Sequence, residues 1–210
     1  MTAALKKKYD FDEVFDSQKV FRLILEAFSQ PVRMVSIQEY ASRLYGEHSS
    51  MLALAVVLLD NEVSFNTGEN RQLSDEIVSL THAKRTLAEE ADFVLVCNAE
   101  DIETVIGNVK SGTLVDPHKS ATIVIRDVQE PTTTLHKLTF SGPGINGAVT
   151  TWVTQTVLDT IVQRDAQYFE YPQGIDLLFV TDEGGLLAIP RLVQKVQTPP
   201  MRLFAFEGTD

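Results

Sequence analysis

The sequence predicts an α/β fold: a single-domain layered α/β/α sandwich built on a mixed sheet. Three observations carry this. Apolar residues at helical spacing alternate along the chain with short apolar runs of strand length. The last two runs, "IDLLFV" and "LLAI", are separated only by "TDEGG", too few residues for a parallel crossover, so the sheet is mixed rather than purely parallel. The chain has 210 residues of which 44% are hydrophobic, which suits one core better than two. We divide it into an N-terminal tail (1–15), the α/β domain (16–196) and a C-terminal tail (197–210).

Each element follows from its local pattern. In "DSQKVFRLILEAFSQP" the positions Val20, Phe21, Ile24, Ala27 and Phe28 form one helical face, with Asp16 or Ser17 as N-cap and Pro31 just past the end. The segment "SIQEYASRLYGEHSS" has no assignable pattern. "MLALAVVLL" (51–59) is a buried helix, and "NEVSFN" is a strand ending at Gly68. Ser74 then caps a helix whose first turn carries Asp75 and Glu76, acids favourably placed at its positive end. "ADFVLVC" is a core strand, and "DIETVIGNV" a helix through Ile102, Val105, Ile106 and Val109, with Gly112 turning the chain. "SATIVIRDV" and "TTLHKLTF" are strands joined around Pro131. "TWVTQTVLDTIVQRDAQYF" is a helix facing inward through Val157, Ile161 and Tyr168. The two closing strands end at Pro190-Arg191.

Charge and composition exclude several classes. A formal net charge of -11 argues against nucleic acid, whose backbone is bound by clustered Lys and Arg. The one basic run, Lys6-Lys7-Lys8, reads as a frayed solvated tail. A single cysteine, Cys97, forms neither an internal disulfide nor a cysteine metal cage, and points to a cytoplasmic protein. The apolar 51–59 run is far shorter than the roughly 20 residues of a membrane span, and no signal-peptide core follows the basic residues, so neither membrane nor export is expected.

Ordinary catalytic signatures are missing. "GPGING" places Gly142, Gly144 and Gly147 in a G-x-G-x-x-G pattern, but Pro143 removes an amide donor. The acids that follow, Asp165 and Glu170, lie in or just after a helix rather than at a strand end, so we read a turn without a dinucleotide. Lys84, Lys110, Lys119 and Lys137 sit in no motif that marks a Schiff-base lysine for pyridoxal phosphate. His48, His82, His118 and His136 lack metal-binding spacing, and His136 reads as a satisfied, partly buried strand histidine. No serine sits in a nucleophile elbow, while Glu89-Glu90 and Asp182-Glu183 read as a solvated helix end and a turn. No cofactor, metal or catalytic residue is therefore assigned.

The hairpin itself supplies the candidate site. Pairing outward from "TDEGG" brings Gly174 to Asp176 beside Ile189 to Arg191. Asp176 then either meets Arg191 or caps local backbone donors, and Pro190 ends the pairing because it lacks an N–H. Gly174, Asp176, Pro190 and Arg191 are thus candidates for a structural clasp or an interface.

These residues also carry a resemblance. "YPQGIDLLFVTDEGGLLAIPR" resembles the C-terminal block of the H subunit of bacterial carbon-phosphorus lyase. "FRLILEAFSQP", "SGTLVDPHKSATIVI" and "LTFSGPGI" agree with the same family in the same order. The matching positions include Ser29 and Pro31, Ser111, Gly112, Thr113 and Pro117, Gly142, Gly144 and Ile145, then Pro172, Gly174, Ile175, Asp176, Pro190 and Arg191. Val32 and Leu192 depart from the pattern, which has a small residue and commonly a threonine there.

The resemblance implies the large-domain fold of pyridoxal-phosphate-dependent transferases without the cofactor site, and self-association as a homodimer. It also implies a place in the carbon-phosphorus lyase complex with the G, I and J subunits. That assembly exchanges the base of a purine nucleoside triphosphate for an alkylphosphonate, giving ribose 1-methylphosphonate 5-triphosphate. The expected function is an accessory, noncatalytic subunit of phosphonate catabolism. The alternatives are a free-standing nucleotide- or pyridoxal-phosphate-dependent enzyme, and a structural homodimer outside phosphonate metabolism.

Overall fold

The computed structural model describes residues 9–129 and 132–196. Its main sheet has seven strands: β1 (Val35–Ser36), β2 (Ser64–Asn66), β3 (Lys84–Arg85), β4 (Phe93–Val96), β5 (Thr122–Arg126), β8 (Asp176–Val180) and β9 (Gly185–Ile189). They lie in the order β1-β9-β8-β5-β4-β2-β3. From β3 to β8 all neighbours are parallel, whereas β9 runs antiparallel to both β8 and β1. A second sheet, β10-β6-β7, combines β6 (His136–Ser141), β7 (Val149–Val153) and β10 (Gln194–Lys195). Both edge strands of the main sheet are two residues long, which leaves little unpaired backbone for a stray strand to join.

The apolar runs without alternation are explained by burial on both faces. Val124, Leu178 and Val180 face one core, formed with α1 (Phe15–Ser29), α3 (Ser49–Leu58) and α4 (Arg71–Thr81) through residues such as Ile24, Leu52 and Ile77. Ile123, Ile125, Leu177 and Phe179 face the other, filled by α5 (Ile102–Asn108), α6 (Gln155–Ala166) and the small sheet through Ile106, Ile161 and Phe140. Each such side chain stabilises the fold by about 1.5–3 kcal/mol. The mixed sheet with helices against both faces agrees with the sequence expectation.

Several boundaries differ from that expectation. Thr151–Val153 belongs to β7, and helix α6 begins only after Thr154, whose hydroxyl caps it by accepting from Val157 N–H. The β-branched residues there follow their strand preference, and pairing with β6 decides it. Tyr168 lies past the helix and is 92% exposed, not inward. Helix α4 starts at Arg71 with Asn70 as cap, because the Asn70 carboxamide accepts from Leu73 N–H; Ser74 lies inside it. Helix α1 starts at Phe15, and Asp12 Oδ1 accepts from the N–H groups of Val14 and Phe15, so neither Asp16 nor Ser17 caps it. Asp16 is instead buried against Arg43, with Nη1 at 2.7 and 2.8 Å from its two oxygens.

Glu89 and Glu90 are exposed in a turn, not at a helix end. His136 is half-buried, but its Nε2 is buried without a partner, so it is not satisfied. The unassigned stretch, residues 36–50, supplies the end of β1, a short helix α2 (Gln38–Ala41) and the first residues of α3. Lys6 to Lys8, the 197–210 tail and the connection at Pro131 lie outside the described residues.

Asp127, at the end of β5, is 3% exposed and bound by Thr154 Oγ1 at 2.7 Å and Gln129 Nε2 at 3.3 Å. Burial raises its carboxyl above the ordinary range, and the two hydrogen bonds only partly oppose this. A raised folded-state pKa means the folded form holds the proton more tightly. The resulting stabilisation is present below about pH 4 and is lost as the pH rises through the folded value. Asp127→Asn is therefore expected to raise the melting temperature at pH 7 by a few degrees, about 1 kcal/mol being worth roughly 2–4 °C at this size. Melting curves from pH 4 to 8 check this, and the gain should vanish toward pH 4.

Candidate functional site

The register of the β8–β9 hairpin pairs Leu177 with Ile189, which sets Asp176 opposite Pro190. Asp176 Oδ1 accepts from the Arg191 backbone N–H at 2.8 Å and from Nε at 3.2 Å; Oδ2 accepts from Nε at 3.1 Å and from Nη2. Ion pair and backbone cap thus coexist in one carboxylate. Arg191 Nη1 donates to the Pro117 carbonyl, joining the 111–120 loop to the hairpin. The two side chains are only 15% and 18% exposed, so the pair is shielded from water on most sides.

Gly174 permits this approach. It sits at φ +149°, and a Cβ there would lie 2.9 Å from Arg191 Cβ. Its N–H donates to Ser111 O at 3.0 Å, and Gln173 Nε2 donates to Gly112 O at 2.9 Å. Pro190 ends β9, and its carbonyl accepts from Val193 N–H at 2.9 Å to close the turn into β10. The four hairpin residues singled out in the sequence therefore meet at one place.

The same belt continues across the small sheet. β10 pairs with the end of β6 through Gln194 and Ser141, and "GPGING" is the hairpin loop from β6 to β7, not a strand-to-helix turn. Within it Gly144 lies at φ +83°, where a Cβ would stand 2.7 Å from Pro31 Cδ and 2.9 Å from Ser29 O. Ser29 and Pro31 close α1 at this point. Val32 follows in the left-handed region at φ 59°, a conformation that disfavours a β-branched residue. Its burial in the core beside β9 offsets that cost, with its N–H donating to Ala188 O at 3.0 Å.

At the opposite end of the parallel strands lies a region that sequence reasoning missed. The chain leaves β2 through α4 on one face and leaves the adjacent β4 through α5 on the other, which opens a crevice beyond their carboxyl ends. A cavity of about 480 Å³ at this end lies on the other side of β2, against β3 and α4, and is lined by residues including Asn66, Thr67, Arg71 and Arg85; the crevice between β2 and β4 itself holds only about 20 Å³, among Thr67, Asn70, Val96 and Cys97. Beside it Asn70 Nδ2 lies 3.0 Å from His48 Nε2 and 3.5 Å from Cys97 Sγ. Arg126 holds Asp182 through Nε at 2.7 Å and Nη2 at 3.0 Å. The available signal was the pair of loops after two adjacent parallel strands, which required the strand order.

The chemistry of this crevice is restrained. Burial pushes the Cys97 thiol up, and the hydrogen bond from Asn70 and the charge of Arg126 only partly oppose it, so a thiolate nucleophile is disfavoured. Lys110 is paired with Asp92 at 2.5 Å and Lys119 with Asp116 at 2.7 Å, while Lys84 and Lys137 are exposed. Among the described residues no group of three or more His, Cys, Asp or Glu side chains is placed to hold a metal ion, and no helix is long and apolar enough to cross a membrane.

The sequence profile of the family described as "Bacterial phosphonate metabolism protein (PhnH)" matches residues 9–195. The chain belongs to this PhnH family. Its role accordingly lies in bacterial phosphonate metabolism. The matched span takes in the hairpin, the 111–117 loop, the glycine loop and the end of α1, so all the belt segments fall within the PhnH pattern. No curated protein matches the chain.

Proposed function

We propose that the chain is an accessory, noncatalytic subunit of the carbon-phosphorus lyase core complex. It assembles with the G, I and J subunits and supports formation of ribose 1-methylphosphonate 5-triphosphate from a purine nucleoside triphosphate and an alkylphosphonate. The observation that carries this reading is the use made of the family-matching residues. Ser29, Pro31, Gly144, Gly174, Asp176, Pro190, Arg191 and Pro117 are engaged in close backbone approaches and a shared ion pair, an arrangement suited to fixing a surface rather than to turning over a substrate. The raised Cys97 thiol supports the same conclusion.

Residues 16–196 are the working domain in this account. The run of parallel strands closed by one antiparallel strand supports a likeness to the large domain of pyridoxal-phosphate-dependent transferases without their cofactor site. A cytoplasmic location and homodimerisation of the isolated chain complete the reading. Base release from a purine nucleoside triphosphate tests it. The isolated chain is expected to release none, whereas a mixture of the partner subunits should lose its activity when this chain is omitted. Turnover by the chain alone would support a free-standing enzyme using the cavity beside β2 and β3.

A further inference from the structure

A second cavity, of about 310 Å³, adjoins the Asp176–Arg191 pair at the C-terminal end of α6. Three cations from three elements line it: Arg164 from the last turn of α6, Arg191 from the turn after β9, and Lys195 from β10. Only two carboxylates answer them, Asp165 on Arg164 and Asp176 on Arg191. Lys195 makes no ion pair among the described residues. The wall therefore keeps a positive excess on a chain whose formal net charge is -11.

Arg164 is the unusual member. It is 3% exposed, with Nε and Nη2 donating to Asp165 Oδ1 at 3.1 and 2.9 Å and Nη2 also to Val193 O at 2.8 Å. Its Nη1 is buried and has no partner. A guanidinium presents five N–H donors in a fixed fork, and a buried donor left without an acceptor is costly. The clasp binds Arg191 and the Val193 carbonyl binds Arg164, so both heads are held in place before any ligand arrives.

We propose that this cavity binds a tetrahedral phosphoryl or phosphonyl oxyanion. A carboxylate offers two oxygens, whereas a PO3 group offers three, which can be met by the Lys195 ammonium and by the Nη hydrogens that Arg191 does not commit to Asp176 and Pro117, beside the positive charge of Arg164. The volume is at the lower end of the roughly 300–1,000 Å³ typical of ligand sites, which suits a small alkylphosphonate, free phosphate or the terminal group of a nucleoside triphosphate. The inference rests on the assigned role in phosphonate metabolism and not on assembly with the other subunits. Failure of binding would therefore leave the subunit reading to its own tests.

Titration calorimetry of the purified full chain at low salt with methylphosphonate, inorganic phosphate and a purine nucleoside triphosphate is the direct test. Saturable binding of at least one is expected, and Lys195→Gln and Arg164→Gln should each weaken it by about tenfold or more. Arg164 also holds the Val193 carbonyl, so Lys195→Gln, with unchanged melting, is the variant that separates binding from folding. The tightest of the three probes identifies the source of the oxyanion. No saturable heat with any probe, or affinity unchanged in Lys195→Gln, would overturn the proposal.

Discussion

Arg191→Ala is expected to destabilise the chain by about 2–4 kcal/mol, because it strips a largely buried carboxylate of its counter-charge and frees the Pro117 carbonyl. Asp176→Ala should cost a similar amount by stranding the guanidinium and the Arg191 N–H. The exposed turn residue Glu183 provides the comparison, and Glu183→Ala should stay within about 0.5 kcal/mol of the wild type. Denaturant melts of the single variants and the 176/191 double variant give the coupling between the two positions. A double variant no worse than either single one is the expected signature of a shared clasp, while simple addition would indicate two independent charges. Normal melting in both single variants combined with failed partner capture would move these residues to the partner-facing surface.

Gly144→Ala should be about as damaging. The left-handed backbone costs an alanine about 1–2 kcal/mol, and its Cβ would press within 2.7 Å of Pro31 Cδ and 2.9 Å of a backbone oxygen. Relief requires the end of α1 or the whole loop to shift, adding about 1–3 kcal/mol. Gly147 is the internal control: it has a similar φ of +76°, but a Cβ there meets nothing within 4 Å. Gly147→Ala should therefore show the conformational cost alone. Equal melting temperatures for the two variants would mean that the contact between the glycine loop and Pro31 contributes nothing.

The pattern of legibility has a physical basis. Helices with a strong apolar face, such as α1, and strands with continuous apolar runs, such as β5 and β8, were readable because burial demands those periods. β7 was missed because Thr151 and Val153 are compatible with either state, and only the antiparallel register with β6 settles them. β1, β3 and β10 are two residues long and carry no period at all. The Asp176–Arg191 juxtaposition was legible because hairpin pairing is arithmetic on the sequence. Its third member, the Pro117 carbonyl, was not, since 74 residues separate it from Arg191. The same holds for Arg164, whose position on a helix tells nothing of the Val193 carbonyl it meets.

The central claim is that the chain works as part of a phosphonate-processing assembly. Co-expression of the tagged chain with the G, I and J subunits, followed by size-exclusion chromatography with mass detection, tests it most directly. The account predicts one co-eluting species that contains this chain at fixed stoichiometry, and its loss when Arg191 is replaced. A complex of the other subunits that forms complete while this chain elutes alone would contradict it.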